Sequence, residues 1–114
     1  MTVKISILLI FYNDAKYLTT AIKSILNQTF DNFELIMLDN GSNDGSSTIA
    51  KQHAQQDSRI KIIKSQQNYH NGSLNFRKLL AHSKGKYIKF FCADDIMTPN
   101  CLNTQIELLE NNNQ

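Results

Sequence analysis

Apolar positions alternate between two spacings along the chain. Val3 to Ile10 is a near-continuous apolar run, the pattern of a central parallel strand covered on both faces. Leu18, Ile22 and Ile25 then recur at i, i+4 and i+7 with Ala21 beside them, which predicts an amphipathic helix over 15–27. The sequence of strand and helix repeats three more times. Phe33 to Leu38 reads as a second buried strand ending at Asp39, and Ser46 to Gln56 as a weaker helix faced by Ile49, Ala50 and Ala54. Arg59 to Lys64 is a short third strand, followed by a polar loop over 65–72. Ser73 to Ser83 is a third helix, with Leu74, Leu79 and Leu80 expected in the core. Lys86 to Ala93 is a fourth apolar, β-favouring run that ends in Asp94-Asp95, again expected to be buried on both faces. Pro99 suits the first turn of a last helix, on which Leu102, Ile106 and Leu109 share a face.

The residues between these segments carry the punctuation. Asn13-Asp14 is expected to cap the first helix, and Asn40-Gly41-Ser42-Asn43-Asp44-Gly45 is turn chemistry. Lys84-Gly85 is expected to end the third helix as a glycine past its C-terminus. Four strand–helix units with short connections predict an open, mainly parallel sheet flanked by helices on both faces, a Rossmann-like α/β fold in one domain over 1–114. Such sheets bind ligands beyond the carboxyl ends of their strands, where the strand order reverses. The polar clusters fall at those ends: Tyr12-Asn13 after strand one, Asp39 after strand two, Asp94-Asp95 after strand four. They converge if strand four lies beside strand one, on the side away from strand two.

Asp94 and Asp95 invite a chemical reading. Adjacent carboxylates at the end of a buried strand repel each other and lose solvation, which points to a hard divalent cation. The alternative is a solvated turn with Asp95 capping the next helix. Charge adds nothing to this picture, since 114 residues carry a net +2 with both signs interspersed, and no nucleic acid or anionic membrane partner is expected. Cys92 and Cys101 have no metal-ligand spacing. A thiol at the end of a buried strand is expected reduced, and the chain cytoplasmic. Ile5 to Phe11 is too short to span a bilayer and lacks a signal cleavage site. No Gly-x-Gly-x-x-Gly or Walker loop is present, which disfavours dinucleotide oxidoreductases and P-loop enzymes. His53 and His82 read as surface residues; His70 lies in a loop expected to face the crevice.

Four pieces in order are similar to one known family. They are Ser6 through Asn13; Ser24-Ile25-Leu26-Asn27-Gln28-Thr29; Phe33 through Asp39-Asn40-Gly41-Ser42-Asn43-Asp44-Gly45-Ser46; and Gly85-Lys86-Tyr87-Ile88 through Asp94-Asp95. The chain resembles the nucleotide-binding half of inverting family 2 glycosyltransferases, of the GT-A type, whose donors are nucleotide-diphospho sugars. The resemblance implies that Tyr12 lies against the nucleobase with the Ile10 backbone and Asn13 nearby, and that Asp39 accepts a hydrogen bond from the base. Asp94 and Asp95 match the acidic metal motif, one toward the ribose and one toward Mg²⁺ or Mn²⁺. Asn75-Phe76-Arg77 resembles a subgroup variant of the third-helix motif, with Arg77 toward phosphate or simply solvated. The implied acceptor is a saccharide or lipid-linked saccharide, and the general base is expected beyond Gln114.

Three positions depart from the family pattern: Ile10-Phe11 replaces the usual proline, Asn40 a second acid, and Cys92 the leading acid of an Asp-x-Asp-Asp form. These departures keep a non-catalytic nucleotide-binding or assembly module as the alternative. Family members continue the sheet past strand four, so its edge is expected to be unpaired and to support a homo-oligomer.

Overall fold

The structure, a computed structural model, describes residues 2–65 and 72–112. His70 and most of the polar loop around it lie outside the described residues. The elements are β1 (Ile5–Phe11), α1 (Ala15–Leu26), β2 (Phe33–Asp39), α2 (Ser46–Gln56), β3 (Ile60–Lys64), α3 (Gly72–His82), β4 (Tyr87–Cys92) and α4 (Cys101–Asn112). The strands form one parallel sheet in the order β3-β2-β1-β4. The chain therefore builds outward from β1 through β2 to β3, then returns to place β4 on the other side of β1.

Successive side chains in a strand point to opposite faces, so one register sorts two cores. Ile7, Leu9, Leu35 and Met37 join the larger core, against Leu18, Ile22 and Ile25 of α1, Ala50 of α2 and Leu102 and Ile106 of α4. Leu8, Ile36 and Leu38 form the smaller core with Leu79 of α3. Fully burying one such aliphatic side chain contributes about 1.5–3 kcal/mol relative to leaving it exposed, which is why the near-continuous apolar runs become the central strands. Helices cover both faces, three on one and α3 on the other.

Four local expectations are corrected. β4 is not buried on both faces: it is an edge strand in which inward and outward positions alternate, with Ile88 and Phe90 exposed. Phe90 is 48% exposed, and its stack on Phe76 of α3, 5.2 Å between centroids, gives it partial cover. On α3 only Leu79 reaches the core, while Leu74 and Leu80 stay exposed, because the helix turns Asn75 and Leu79 toward the sheet. Leu109 is exposed as well, one turn past the cover that buries Ile106. Gly85 is not a left-handed cap; a Cβ there would stand 2.4 Å from the Ser6 backbone nitrogen, so the close approach of the turn to β1 requires glycine. Among the described residues no helix is long and apolar enough to cross a membrane.

Candidate functional site at the carboxyl edge of the sheet

The register brings the polar clusters to one edge. Phe11 pairs with Asp39, Asp39 with Lys64, and Ile10 with Cys92, so the tips of all four strands end side by side. β1 is the strand at which the order reverses, and its tip lies between Asp39 on β2 and the Asp94–Asp95 segment after β4. Those flanking strands are two interstrand spacings apart, about 10 Å. The convergence expected from the sequence is present.

The first two loops are sewn together. The Asn40 amide donates to the Phe11 carbonyl (2.9 Å). Asn13 sits at φ 52°, a left-handed conformation that asparagine tolerates. Its amide donates to Ser42 Oγ (3.0 Å), and its side-chain oxygen accepts from the Asn43 amide (2.8 Å). Asn13 thus holds one loop against the other. The first helix is not capped by the side chain of Asp14, which accepts instead from the Tyr12 amide (3.1 Å). That work falls to Asp44, whose Oδ2 accepts from the Ala15 amide (3.1 Å) while Oδ1 accepts from the Ser46 amide and hydroxyl. The Ser46 hydroxyl, with the Ser46 and Ala15 amides, holds the Asp44 carboxyl below its ordinary range against a smaller opposing effect of burial. One carboxylate serves two helix starts, and Tyr12 is left exposed above the stitched loops.

The acidic tip is positioned by α1. Ala93 and Met97 are buried, and Asp94, Asp95 and Ile96 between them are pushed outward into solvent. The Asp95 amide closes the turn on the Cys92 carbonyl (3.1 Å). Ser24 Oγ accepts from the Met97 amide (2.9 Å). Gln28 Nε2 donates to the Thr98 carbonyl (2.6 Å), and its Oε1 takes the Leu102 amide (3.0 Å), one of the unpaired N–H groups at the start of α4. The Thr29 amide donates to the Pro99 carbonyl (3.0 Å). The Ser24–Thr29 segment therefore fixes the chain just after the two acids. The motif is visible in the sequence but that role is not, because its partners lie some 70 residues away.

Exposure changes the argument for a cation. Asp94 and Asp95 are solvated, so lost hydration does not force a counter-ion on them. Cys92 is exposed too, where the sequence placed it in a buried strand. What remains is geometry: Cys92, Asp94 and Asp95 each offer a ligand atom, and these lie within 4.8 Å of one another. Local desolvation, then the charges of Asp95 and Asp94 and a hydrogen bond to Asp95, push the Cys92 thiol up.

Asp39 is 1% exposed; its Oδ1 accepts from the Ser42 amide (2.8 Å), and its Oδ2 is buried with no partner. Ile10 is half-buried on the α3 side of the sheet, beneath this rim. Arg77 is exposed on α3, about half a turn from the inward Asn75 and Leu79. Of the histidines, His82 is exposed, but His53 is half-buried, and burial followed by the charge of Lys23 pulls its pKa down.

The family described as Glycosyl transferase family 2 matches residues 6–114. A glycosyltransferase of Methanocaldococcus jannaschii, MJ1057, is 39% identical over 110 residues, covering 95% of this chain and 38% of that protein. The chain spans between 28% and 38% of the length of three curated relatives it matches. The fold superposes on the S. aureus TarS 1–349 structure in complex with UDP-GlcNAc, with a TM-score of 0.90 at 21% identity over 96% of this chain and 32% of that one. It also superposes on the mannosyltransferase PcManGT from Pyrobaculum calidifontis in complex with GDP-Man and Mn²⁺, with a TM-score of 0.84 at 16% identity over 96% of this chain and 33% of that one. With all but the first five residues matched and the expected GT-A architecture in place, the chain belongs to the family 2 glycosyltransferases.

Proposed function

We propose that the carboxyl edge is the donor site for a nucleotide-diphospho sugar. In the complete reaction an acceptor hydroxyl attacks the anomeric carbon with inversion. The new carbon–oxygen bond forms as the bond to the diphosphate breaks. The nucleoside diphosphate leaves, and the hydroxyl proton passes to a general base. The observation that carries the reading is the meeting, at one topological switch point, of a buried carboxylate with an unpaired oxygen and an exposed carboxylate pair. The UDP-GlcNAc and GDP-Man complexes on the same fold support the donor class.

Each residue has a distinct task in this reading. Asp39 Oδ2 accepts a base N–H, as an ionised carboxylate can. Tyr12 supplies an aromatic face for the base, beside the Ile10 backbone, and Asn13 holds the loop that presents it. Asp94 and Asp95, with Cys92 beside them, would hold a divalent cation. Two oxygens and one sulfur within 4.8 Å form a donor set that fits such an ion, the oxygens suiting Mg²⁺ or Mn²⁺. When bound, the ion supplies the positive charge that stabilises the departing diphosphate. Without it, each like-charge pair at that separation costs about 3.5 kcal/mol at an effective dielectric of ~20, and carboxylates and diphosphate exclude each other. Cys92 in place of an acid, together with Asn40, favours a second reading, a nucleotide-binding or assembly module without transfer chemistry.

Calorimetric titration with UDP, GDP and dTDP, with and without Mn²⁺, separates the two. Mn²⁺-dependent binding that is lost in Asp94→Asn or Asp95→Asn is the expected result. Binding indifferent to metal favours the module, and binding of none of the three contradicts both.

A further inference from the structure

The small net charge conceals a segregation of signs. Eight of the chain's 12 Lys and Arg lie between Asp57 and Asp94, a stretch that holds no Asp or Glu, and all 10 acids lie outside it. The two signs, expected to be interspersed, are divided along the chain, and the basic stretch is the one that forms β3, α3 and β4. Folding preserves part of this division. Arg59 and Lys86 are taken up by Asp57 and Glu110. Arg77, Lys78 and Lys84 lie on or just past α3, and Lys61 pairs across from Ile36, on the sheet face that α3 covers. The strand acid on that face is Glu34, which is 3% exposed and already holds Lys61, the Ser6 hydroxyl and the Lys84 amide.

Apolar side chains stand among these cations. With 100° between successive residues of a helix, Arg77 points directly away from the inward Asn75 and Leu79. Leu80 flanks it on the β4 side, where Phe76 stacks on Phe90, and Leu74 and Ala81 flank it on the β3 side. Leu74, Leu80 and Ala81 are all exposed. An open groove of about 500 Å³ continues the surface from the end of α3 to β3, with Ile36 and Ile63 in its lining beside Lys61, His82 and Lys84.

We propose that this α3 face docks on a bilayer rich in anionic phospholipid. Attraction of Lys and Arg to negative headgroups and burial of apolar side chains at the headgroup–acyl boundary add together in such docking, and the face offers both. A nucleic-acid backbone would meet the cations and leave the leucines in water. A two-fold dimer through the same face would set its cations against their own copies. The surface is on the flank of the sheet, apart from the strand tips, so the inference is independent of the donor-site reading.

Co-sedimentation of the chain with vesicles of phosphatidylcholine, and of its equal mixture with phosphatidylglycerol, tests this. The expected result is binding to the mixed vesicles alone, weakening as salt is raised. Arg77→Glu and Lys84→Glu should each lower it by more than about five-fold, the effect of removing one cation near such a surface. Lys51→Glu, the same charge change on α2 on the opposite face, should cost less than about two-fold. Leu80→Asn should weaken binding about three-fold or more at unchanged net charge, through lost apolar burial. All four positions are exposed, so the melting temperature should hold in each variant. Equal losses in the three charge variants, or indifference to Leu80→Asn, overturn the proposal. So does a chain that binds single-stranded DNA and no mixed vesicles, which assigns the face to nucleic acid. Should Lys84→Glu disturb the neighbouring Glu34, Arg77→Glu carries the same readouts.

Discussion

The two ends of the same four strands are built on opposite rules. At the amino edge the buried polar groups close on one another. Glu34, nearly inaccessible on β2, accepts from Ser6 Oγ (2.6 Å), the Lys84 amide (2.7 Å) and Lys61 Nζ (3.0 Å), and the Gly85 amide donates to Ser6 Oγ (2.7 Å). Burial alone would raise the Glu34 pKa, but the hydrogen bonds from Ser6, Lys84 and Lys61 outweigh it and hold the carboxyl below its ordinary value. Nearby, Glu110 of α4 gathers Lys4, Lys86 and the Tyr87 hydroxyl. At the carboxyl edge the buried Oδ2 of Asp39 is unpaired and two carboxylates stand side by side in solvent. Open grooves of about 490 and 500 Å³ lie at the amino edge and along β3 and the end of α3. Shape alone would favour those grooves as sites, yet the buried carboxylate there already has its partners. A satisfied edge holds the sheet together, and the unsatisfied one is where the proposed donor would bind.

That contrast can be broken at either end. The largest effect is expected from Gly85→Ala, which forces a Cβ against the Ser6 backbone and strains the entry to β4. Denaturant unfolding should show a loss of about 2–3 kcal/mol, the scale of overpacking a tight site. A loss under ~0.5 kcal/mol, the ordinary range for an inert surface change, would mean that the amino edge is no clamp.

Asp39→Asn comes next. It keeps an oxygen for the Ser42 amide and replaces the unpaired acceptor by an amide donor. Stability should move by no more than ~0.5 kcal/mol, while nucleotide affinity falls about ten-fold or more, the value of a hydrogen bond to a charged group. The reverse pattern would make Asp39 a structural residue.

Acid should act on the satisfied edge. Lys4, then Tyr87 and Lys86, bring the Glu110 pKa from its ordinary 4.5 down to about 2. A carboxyl depressed on folding contributes stability above its unfolded value and loses it as pH falls toward the folded one. Stability should therefore decline between pH 4.5 and about 2, and Glu110→Gln should flatten that decline, more visibly at low salt. Glu34 acts in the same direction.

The smallest effect concerns β4, whose outer edge has no strand partner among the described residues and carries the exposed Ile88 and Phe90. Weak self-association through this edge should appear in sedimentation as a mass that rises with concentration and reverts in Phe90→Lys. A monomeric mass at all concentrations would exclude it.

The fold was legible because period-2 and period-3.6 apolar patterns are local, and the four strands and helices lie within a few residues of their expected bounds. β4 reads as buried because Ile88 and Phe90 are as apolar as core residues, and only the strand order shows that it is an edge strand, on which Phe90 stacks on Phe76 and stays half exposed. Capping by Asp44 across 29 residues of sequence, and the anchoring of the acidic tip by Ser24 and Gln28 across more than 70, leave no local signature. Gly85 looked like a helix cap because a glycine needed for close approach is written with the same letter. The unpaired oxygen of Asp39 is visible only once the polar groups around it have been given their partners.

The central claim, that the ligand sits on the unsatisfied edge, is tested most directly by amide chemical-shift mapping of the chain with UDP or GDP, followed by trace Mn²⁺. Shifts confined to Tyr12 and the Asp39–Asn43 turn, with paramagnetic broadening centred on Cys92, Asp94 and Asp95, are the expected result. Perturbation centred on the amino-edge groove around Phe33, Arg59 and Lys61 would contradict it.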